Sequence, residues 1–328
     1  MTTGFLRDLP KVELHIHLEG SIGPETLLSL FRRHANPEYT TLEQVRRLYR
    51  HGSFPEFLAL FREILRALRA AEDFEPITFA LLADLAAQNV RYAEVTFAPF
   101  ALSHFHGLDP DRILDAIQAG AARARADHHI HMALLVDLIR NMGVENGWRT
   151  ARWAARARDR GVVGINLGGD EREFPAAPFA GIYRWARDQG LRTTAHAGEG
   201  DGPESIRDCA RLLRAERIGH ATRAVEDPAL LDELAERRIP VECCPGSNVA
   251  TGIVPDLAAH PVRRFFDHGV RLSINSDDPP LFATTLTREL QQLQAVHHFT
   301  DAEIRQLARS AVEMSFLPEE RKAALAPA

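Results

Sequence analysis

A closed barrel of eight parallel strands wrapped by helices, with a helical insertion between the first and second strands, is the fold this sequence predicts. Three observations carry that reading. Short apolar, often β-branched runs occur eight times, with amphipathic stretches between them. Histidine and carboxylate residues of metal-ligand type fall where those runs end, and in such barrels the chemistry sits at the carboxyl ends of the strands. The length of 328 residues, 45% of them hydrophobic, suits one barrel, which needs about 250 residues before insertions.

The expected strands, in order, are Lys11–His17, Val90–Phe97, His131–Leu138, Val162–Gly168, Leu191–Ala197, Arg217–His220, Ile239–Cys244 and Arg271–Asn275. Helical spacing of apolar residues marks Pro110–Ala126, Asn146–Asp159, Phe179–Gln189, Glu204–Leu213 and Pro228–Arg237 between them. Pro110 and Pro228 lie near helix starts, and Gly161 and Gly190 just past helix ends. Alternating strands and helices imply parallel strands joined by right-handed crossovers. Eight such units close more economically as a (β/α)8 TIM barrel than as an open doubly wound sheet. One connection is far too long: residues 24–88 hold about three helices' worth of sequence. There Phe54, Phe57, Leu58, Phe61, Ile64, Leu65 and Leu68 form an apolar helical stripe, the signature of a packed helical pair. Long insertions at an active face also serve as lids. With no internal repeat, low-complexity block or linker, residues 1–328 are expected to form one domain.

The net charge of −6 and pI near 6.2 give no reason to expect nucleic acid or an anionic membrane as partner. Cys209, Cys243 and Cys244 are too few for a disulfide framework, which favours a reducing compartment. The amino-terminal residues reach charge and Pro10 without an extended apolar core, and no apolar run nears 18 residues. The expectation is a soluble cytoplasmic protein; nothing in the pattern specifies an oligomer.

His15 and His17 stand two apart in the first strand, and a strand turns residues i and i+2 to one face, so both imidazoles can reach one ion. His196, His220 and the pair Asp277-Asp278 each follow another apolar run. Nitrogen and carboxylate ligands of this kind suit zinc, and three or four of them plus water make a catalytic site. Zinc supplies a nucleophile at neutral pH by lowering the pKa of water to about 7. Glu199, three residues after His196, is placed to deliver a proton on the substrate side. His220 converges from a different strand. Asp137 and Arg140 follow the third strand at the same face. His104, His106, His128, His129, His131, His297 and His298 end no suitable strand with a partner and read as structural or solvated. Cys243-Cys244 reads as buried small hydrophobes in a strand.

Taken together these pieces resemble the adenosine deaminase family. The matching stretches are Leu9-Pro10-Lys11-Val12-Glu13-Leu14-His15-Ile16-His17-Leu18-Glu19-Gly20, Gly168-Gly169-Asp170-Glu171, His196-Ala197-Gly198-Glu199, Arg217-Ile218-Gly219-His220, Glu242-Cys243-Cys244-Pro245-Gly246-Ser247-Asn248 and Asn275-Ser276-Asp277-Asp278-Pro279. Any one is weak; in this order, across nearly the whole chain, they are highly specific. The resemblance implies one zinc ion per chain, bound by His15, His17, His196 and Asp277. It implies Glu199 as the acid that protonates purine N1 and His220 as the residue that orients and polarises the water on the metal. It further implies Asp278 on N7 and the Gly169 backbone on N3, with a small purine nucleoside as partner.

The chain departs from the family's adenosine-specific pattern at Glu19, where aspartate usually contacts the ribose. Glutamate there is familiar in relatives acting on adenine or on 6-amino-6-deoxyfutalosine, and Leu48-Tyr49-Arg50 with Phe54-x-x-Phe57-Leu58 resembles the latter group. Ala221, Gly246 and Ser276 also replace common family residues. The expected reaction is zinc-dependent hydrolytic removal of the 6-amino group of adenosine or 6-amino-6-deoxyfutalosine, with adenine deamination as the alternative. Behind these stand another mononuclear amidohydrolase or a non-catalytic nucleoside-binding relative. A two-metal hydrolase needs a bridging lysine that the fourth strand, Val162–Gly168, lacks. The cytidine-deaminase type needs C-x-x-C, which adjacent Cys243 and Cys244 cannot provide.

Overall fold

The computed structural model describes residues 2–50 and 54–325. Eight strands, β1 (Lys11–His17), β2 (Val90–Phe97), β3 (His131–Ile139), β4 (Val162–Gly168), β5 (Arg192–Ala197), β6 (Arg217–His220), β7 (Val241–Cys243) and β8 (Leu272–Ile274), pair in sequence order, every pair parallel. Helices cover the outside, giving the expected (β/α)8 barrel. Among the described residues no helix is long and apolar enough to cross a membrane.

β7 and β8 are shorter than the apolar runs suggest: β7 stops where Cys244 takes the N-cap position of the helix Pro245–Ala250, and past β8 side chains take over part of the ladder to β1. The Leu14 N–H donates to Asn275 Oδ1 at 3.0 Å, and the Ser276 N–H to the buried Glu13 carboxylate at 3.0 Å. Beyond them the seam closes through backbone: Asp277 N–H to the His15 carbonyl and His17 N–H to the Asp277 carbonyl, both 3.1 Å. The last barrel joint is therefore built from the residues that flank the predicted ligands.

β1 carries a second local device. Glu13 pairs with Ala93 and Ile16 with Val95, so three steps on β1 match two on β2, which is a β-bulge at Leu14-His15. Strict alternation would put Leu14 and His15 on opposite faces. With the bulge, Val12 and Leu14 pack in a small apolar cluster with Tyr92, Ala133 and Met314, while His15 and His17 turn together toward the site.

The helix signals held with small shifts. Asp109 caps Pro110–His128 and Asp227 caps Pro228–Glu236, each with proline at the first turn, and Gly161 and Gly190 take φ of 86° and 78° after their helices. The stretch Glu204–Leu213 divides: α-helix spans Pro203–Asp208, and Cys209–Leu213 is a π-turn. Among the described residues, 24–88 hold four α-helices, Pro24–Arg33, Leu42–Leu48, Phe54–Ala67 and Phe74–Ala87. The last packs on β2 and on Pro110–His128, so it belongs to the barrel's outer ring. Of the predicted stripe, Phe57, Ile64, Leu65 and Leu68 are buried and Phe61 half-buried; the side chains of Phe54 and Leu58 lie outside the described residues. Phe57 stacks on Phe282 of the loop after β8, ring centres 5.3 Å apart, so this helix leans over the carboxyl ends of the strands.

Candidate active site

The predicted ligands meet at the carboxyl end of the barrel. One ligand nitrogen each from His15, His17 and His196 lie within 4.8 Å of one another. Asp277 joins them, its Oδ1 3.3 Å from His17 Nε2 and 3.6 Å from His15 Nε2. Asp277 adopts φ 62°, a left-handed conformation that aspartate tolerates better than most residues, and Ser247 donates to its Oδ2 at 2.6 Å. Cys244 also stands beside His15 and Asp277, a neighbour the strand reading did not place there; it caps the helix Pro245–Ala250 rather than extending β7.

The donor set fits zinc on its own geometry. His15 Nδ1 is 2.8 Å from Glu242 Oε2, which leaves Nε2 facing the other ligands, buried and without a hydrogen-bond partner among the described residues. A ligating imidazole is ordinarily oriented through its second nitrogen in this way. Behind it Glu242 is held by Arg217, which also pairs with buried Glu94 and donates to the Met314 carbonyl at 2.9 Å. The Arg217 guanidinium holds the Glu242 carboxyl below its ordinary range against the opposing effect of burial. His196 Nδ1 meets the Asn166 amide at 3.0–3.3 Å, and Asn166 in turn donates to Asp137.

On the rim, Glu199 Oε2 lies 3.6 Å from His220 Nε2, and Asn248 Nδ2 reaches both Glu199 Oε1 (3.3 Å) and His220 Nδ1 (3.2 Å). Burial pushes the Glu199 carboxyl up, and the Asp277 and Glu171 carboxylates push the same way. Asp278 is buried with Oδ1 unpartnered among the described residues; burial first, then Asp277, raises it well above the usual range. Gly20 makes room for it, since a Cβ there would stand 1.5 Å from Asp278 Oδ1. Glu19 is buried and accepts the Ala98 N–H at 2.9 Å, and burial raises its carboxyl too. Gly169 takes φ 99° with Asn141 Oδ1 against it, where a Cβ would come within 2.3 Å. Arg140 is fully buried and donates to the backbone carbonyls of His196 and Phe174, a supporting position. The set-aside histidines His104, His106, His128, His129, His131, His297 and His298 join no metal-ligand group among the described residues.

Three supports were not singled out from sequence. Glu171 accepts from the N–H groups of Gly198, Glu199 and Gly200 and from the Ser205 hydroxyl, at 2.6–3.1 Å, and so fixes the loop that carries Glu199. Asn248 and Glu242 are the others. All three lie inside motif stretches, but their roles depend on neighbours 12 to more than 200 residues away, which spacing does not reveal.

Residues 10–328 match the family model described as adenosine deaminase. The chain is 38% identical over 325 residues to an aminodeoxyfutalosine deaminase of Streptomyces avermitilis, covering 98% of this chain and 90% of that one. It is 39% identical over 317 residues to an adenine deaminase of Rhizobium leguminosarum bv. trifolii, covering 97% and 98%. Among solved structures it superposes on a zinc-bound amidohydrolase from Burkholderia ambifaria with a TM-score of 0.92 at 29% identity, covering 99% of this chain and 91% of that one. With the family model and these relatives spanning nearly its whole length, the chain belongs to the adenosine deaminase family and is a hydrolase acting on carbon–nitrogen bonds.

Proposed function

We propose that this chain is a mononuclear zinc aminohydrolase that replaces the 6-amino group of an adenine-type substrate by oxygen and releases ammonia. Adenosine or 6-amino-6-deoxyfutalosine is the favoured substrate and free adenine the alternative. The observation that carries this reading is the convergence of His15, His17, His196 and Asp277 beside Glu199, His220 and Asp278, with His15, His220, Asp277 and Asp278 buried and His17, His196 and Glu199 half-buried. The four ligands would hold zinc, which supplies hydroxide at neutral pH by lowering the pKa of water. Names of relatives support an adenine-type substrate and divide between nucleoside analogue and free base.

The residues then divide the work. Hydrolytic attack at C6 puts negative charge on the ring, and a proton delivered to N1 removes it. Glu199 suits that role because burial raises its carboxyl and so favours the protonated form that can donate. N7 of a purine accepts hydrogen bonds only, so its partner must donate. A buried Asp278 whose carboxyl is pushed well up can do so in its protonated form. His220 stands 3.6 Å from Glu199 beside the candidate ligands, where it would orient the attacking water. Gly169 offers its backbone to N3, and Glu19 bounds the sugar end with its carboxyl anchored by Ala98. The helices preceding Phe74 act as the lid.

The test is ammonia release by zinc-loaded protein on adenosine, adenine and 6-amino-6-deoxyfutalosine. A preference in kcat/KM of a hundredfold or more, about 2.7 kcal/mol in transition-state terms, names the substrate. Zinc bound at one ion per chain without turnover on any of the three would overturn the substrate class.

A further inference from the structure

Hydrogen-bond directions can be assigned through the site from one donor that has no choice. The Val262 backbone N–H donates to His260 Nδ1 at 3.2 Å, so Nδ1 of that ring carries no proton and Nε2 does. His260 Nε2 lies 3.2 Å from Asn248 Oδ1, which must then accept. Thr222 Oγ1 donates to the same oxygen at 2.9 Å. That fixes the amide: its NH2 end faces Glu199 Oε1 at 3.3 Å and His220 Nδ1 at 3.2 Å. A flipped amide would set NH2 against the His260 N–H. His220 Nδ1 is therefore an acceptor, and the ring's single proton sits on Nε2, buried, unpartnered among the described residues and 3.6 Å from Glu199.

We propose that His260 and Asn248 are positioning residues that lock His220 as the neutral Nε2–H tautomer, so that His220 serves the reaction as a hydrogen-bond donor and not as the base that takes the nucleophile's proton. The inference rests on the reading of this site as a deaminase centre, but the tautomer itself can be measured without substrate. His260 is suited to start the relay. It is 3% exposed, and burial lowers it to about 3, so it is neutral at neutral pH. Asn248 is fully buried with all four hydrogen-bonding positions of its amide used, two donated and two accepted. Such an amide holds one orientation, because each alternative leaves a buried donor or acceptor unmet.

The deciding measurement is 15N NMR of the zinc-loaded protein labelled at histidine, with His220 assigned by its substitution to Gln. The expected spectrum shows a protonated Nε2 and a bare Nδ1 for both His220 and His260; a protonated Nδ1 on His220 overturns the proposal. Asn248→Asp replaces the donor by an acceptor, drawing the proton to Nδ1. Its kcat is expected to fall at least a hundredfold with zinc content intact. His260→Phe, which frees the amide, is expected to lower kcat about tenfold, and His260→Gln, which restores an N–H donor, to recover most of it. An Asn248→Asp enzyme within twofold of the parent overturns the relay. The predicted tautomer in a protein that deaminates none of the three substrates overturns the functional reading instead and leaves the relay standing.

Discussion

His15, His196, His220 and Asp277 are each held by a partner that fixes which of their atoms faces the site. His15 shows the logic: Glu242 occupies one nitrogen, Arg217 and Glu94 hold Glu242, and the other nitrogen is left for a metal. Removing the Asp277 carboxylate deletes a ligand, so Asp277→Ala, like His17→Ala, is expected to purify with well under one zinc per chain by metal analysis. In the proposed reaction Glu199 would contribute a proton and no ligand. Glu199→Gln is expected to keep zinc and substrate binding while kcat falls by about 10²–10⁴, the usual range for a lost acid–base group. Parent-like turnover in that variant would rule out Glu199 as the proton donor. The ligand types and HxH spacing made the candidate metal residues readable in sequence, whereas Glu242, Asn166 and Asn248 were not, because a carboxamide or carboxylate on another strand carries no local pattern.

At the level of elements, the site depends on short segments held out of regular geometry. The bulge in β1 turns both histidines to the site, and the left-handed residues His220 and Asp277 end β6 and follow β8 with their side chains aimed inward. The loop Gly198–Gly200 points three backbone N–H groups at the Glu171 carboxylate. Glu171→Gln keeps the shape but sets an NH2 group against two of the four donors, leaving the Gly198 N–H unmet at a cost of roughly 1–3 kcal/mol. Turnover is expected to fall about 10–100-fold with zinc retained, since small misplacements of catalytic groups are costly. A kcat unchanged by the substitution would show that the loop holds Glu199 without it. Strand and helix order was legible because both periods are strong in the sequence. The early ends of β7 and β8 were not, because Cys244 turns into a helix N-cap and the side chains of Asn275 and Glu13 replace backbone partners at the seam between β8 and β1.

Across the whole molecule, the buried charges are linked to stability. Gly246, which departs from the family's Thr or Ser, leaves space that the Glu289 carboxylate fills: a Cβ on Gly246 would stand 2.2 Å from Oε1. Glu289 accepts from the Gly246 N–H at 3.0 Å and from the Thr284 hydroxyl, and burial pushes its carboxyl from 4.5 up to about 7. The folded state thus binds this proton more tightly than the unfolded one. Stability from this group is complete below about pH 4.5 and declines as pH rises through about 7, by on the order of 2–3 kcal/mol. Glu289→Gln can still accept from Gly246 and donate to Thr284. The variant is expected to gain stability relative to the parent between pH 5 and pH 8 in thermal melts of the zinc-loaded protein. A difference that does not change with pH would show that Glu289 is not protonated in the folded state at pH 5 to 7. The sequence by itself determined the barrel, because hydrophobic period and helix signals are local properties, and it picked out the candidate metal-binding residues, because their chemistry is unusual at strand ends. Only the tertiary structure decided how those residues are held: which nitrogen of His15 is free, which way the Asn248 amide points, and why Gly246 is small. Those depend on contacts between residues tens to hundreds of positions apart, and no local pattern encodes them.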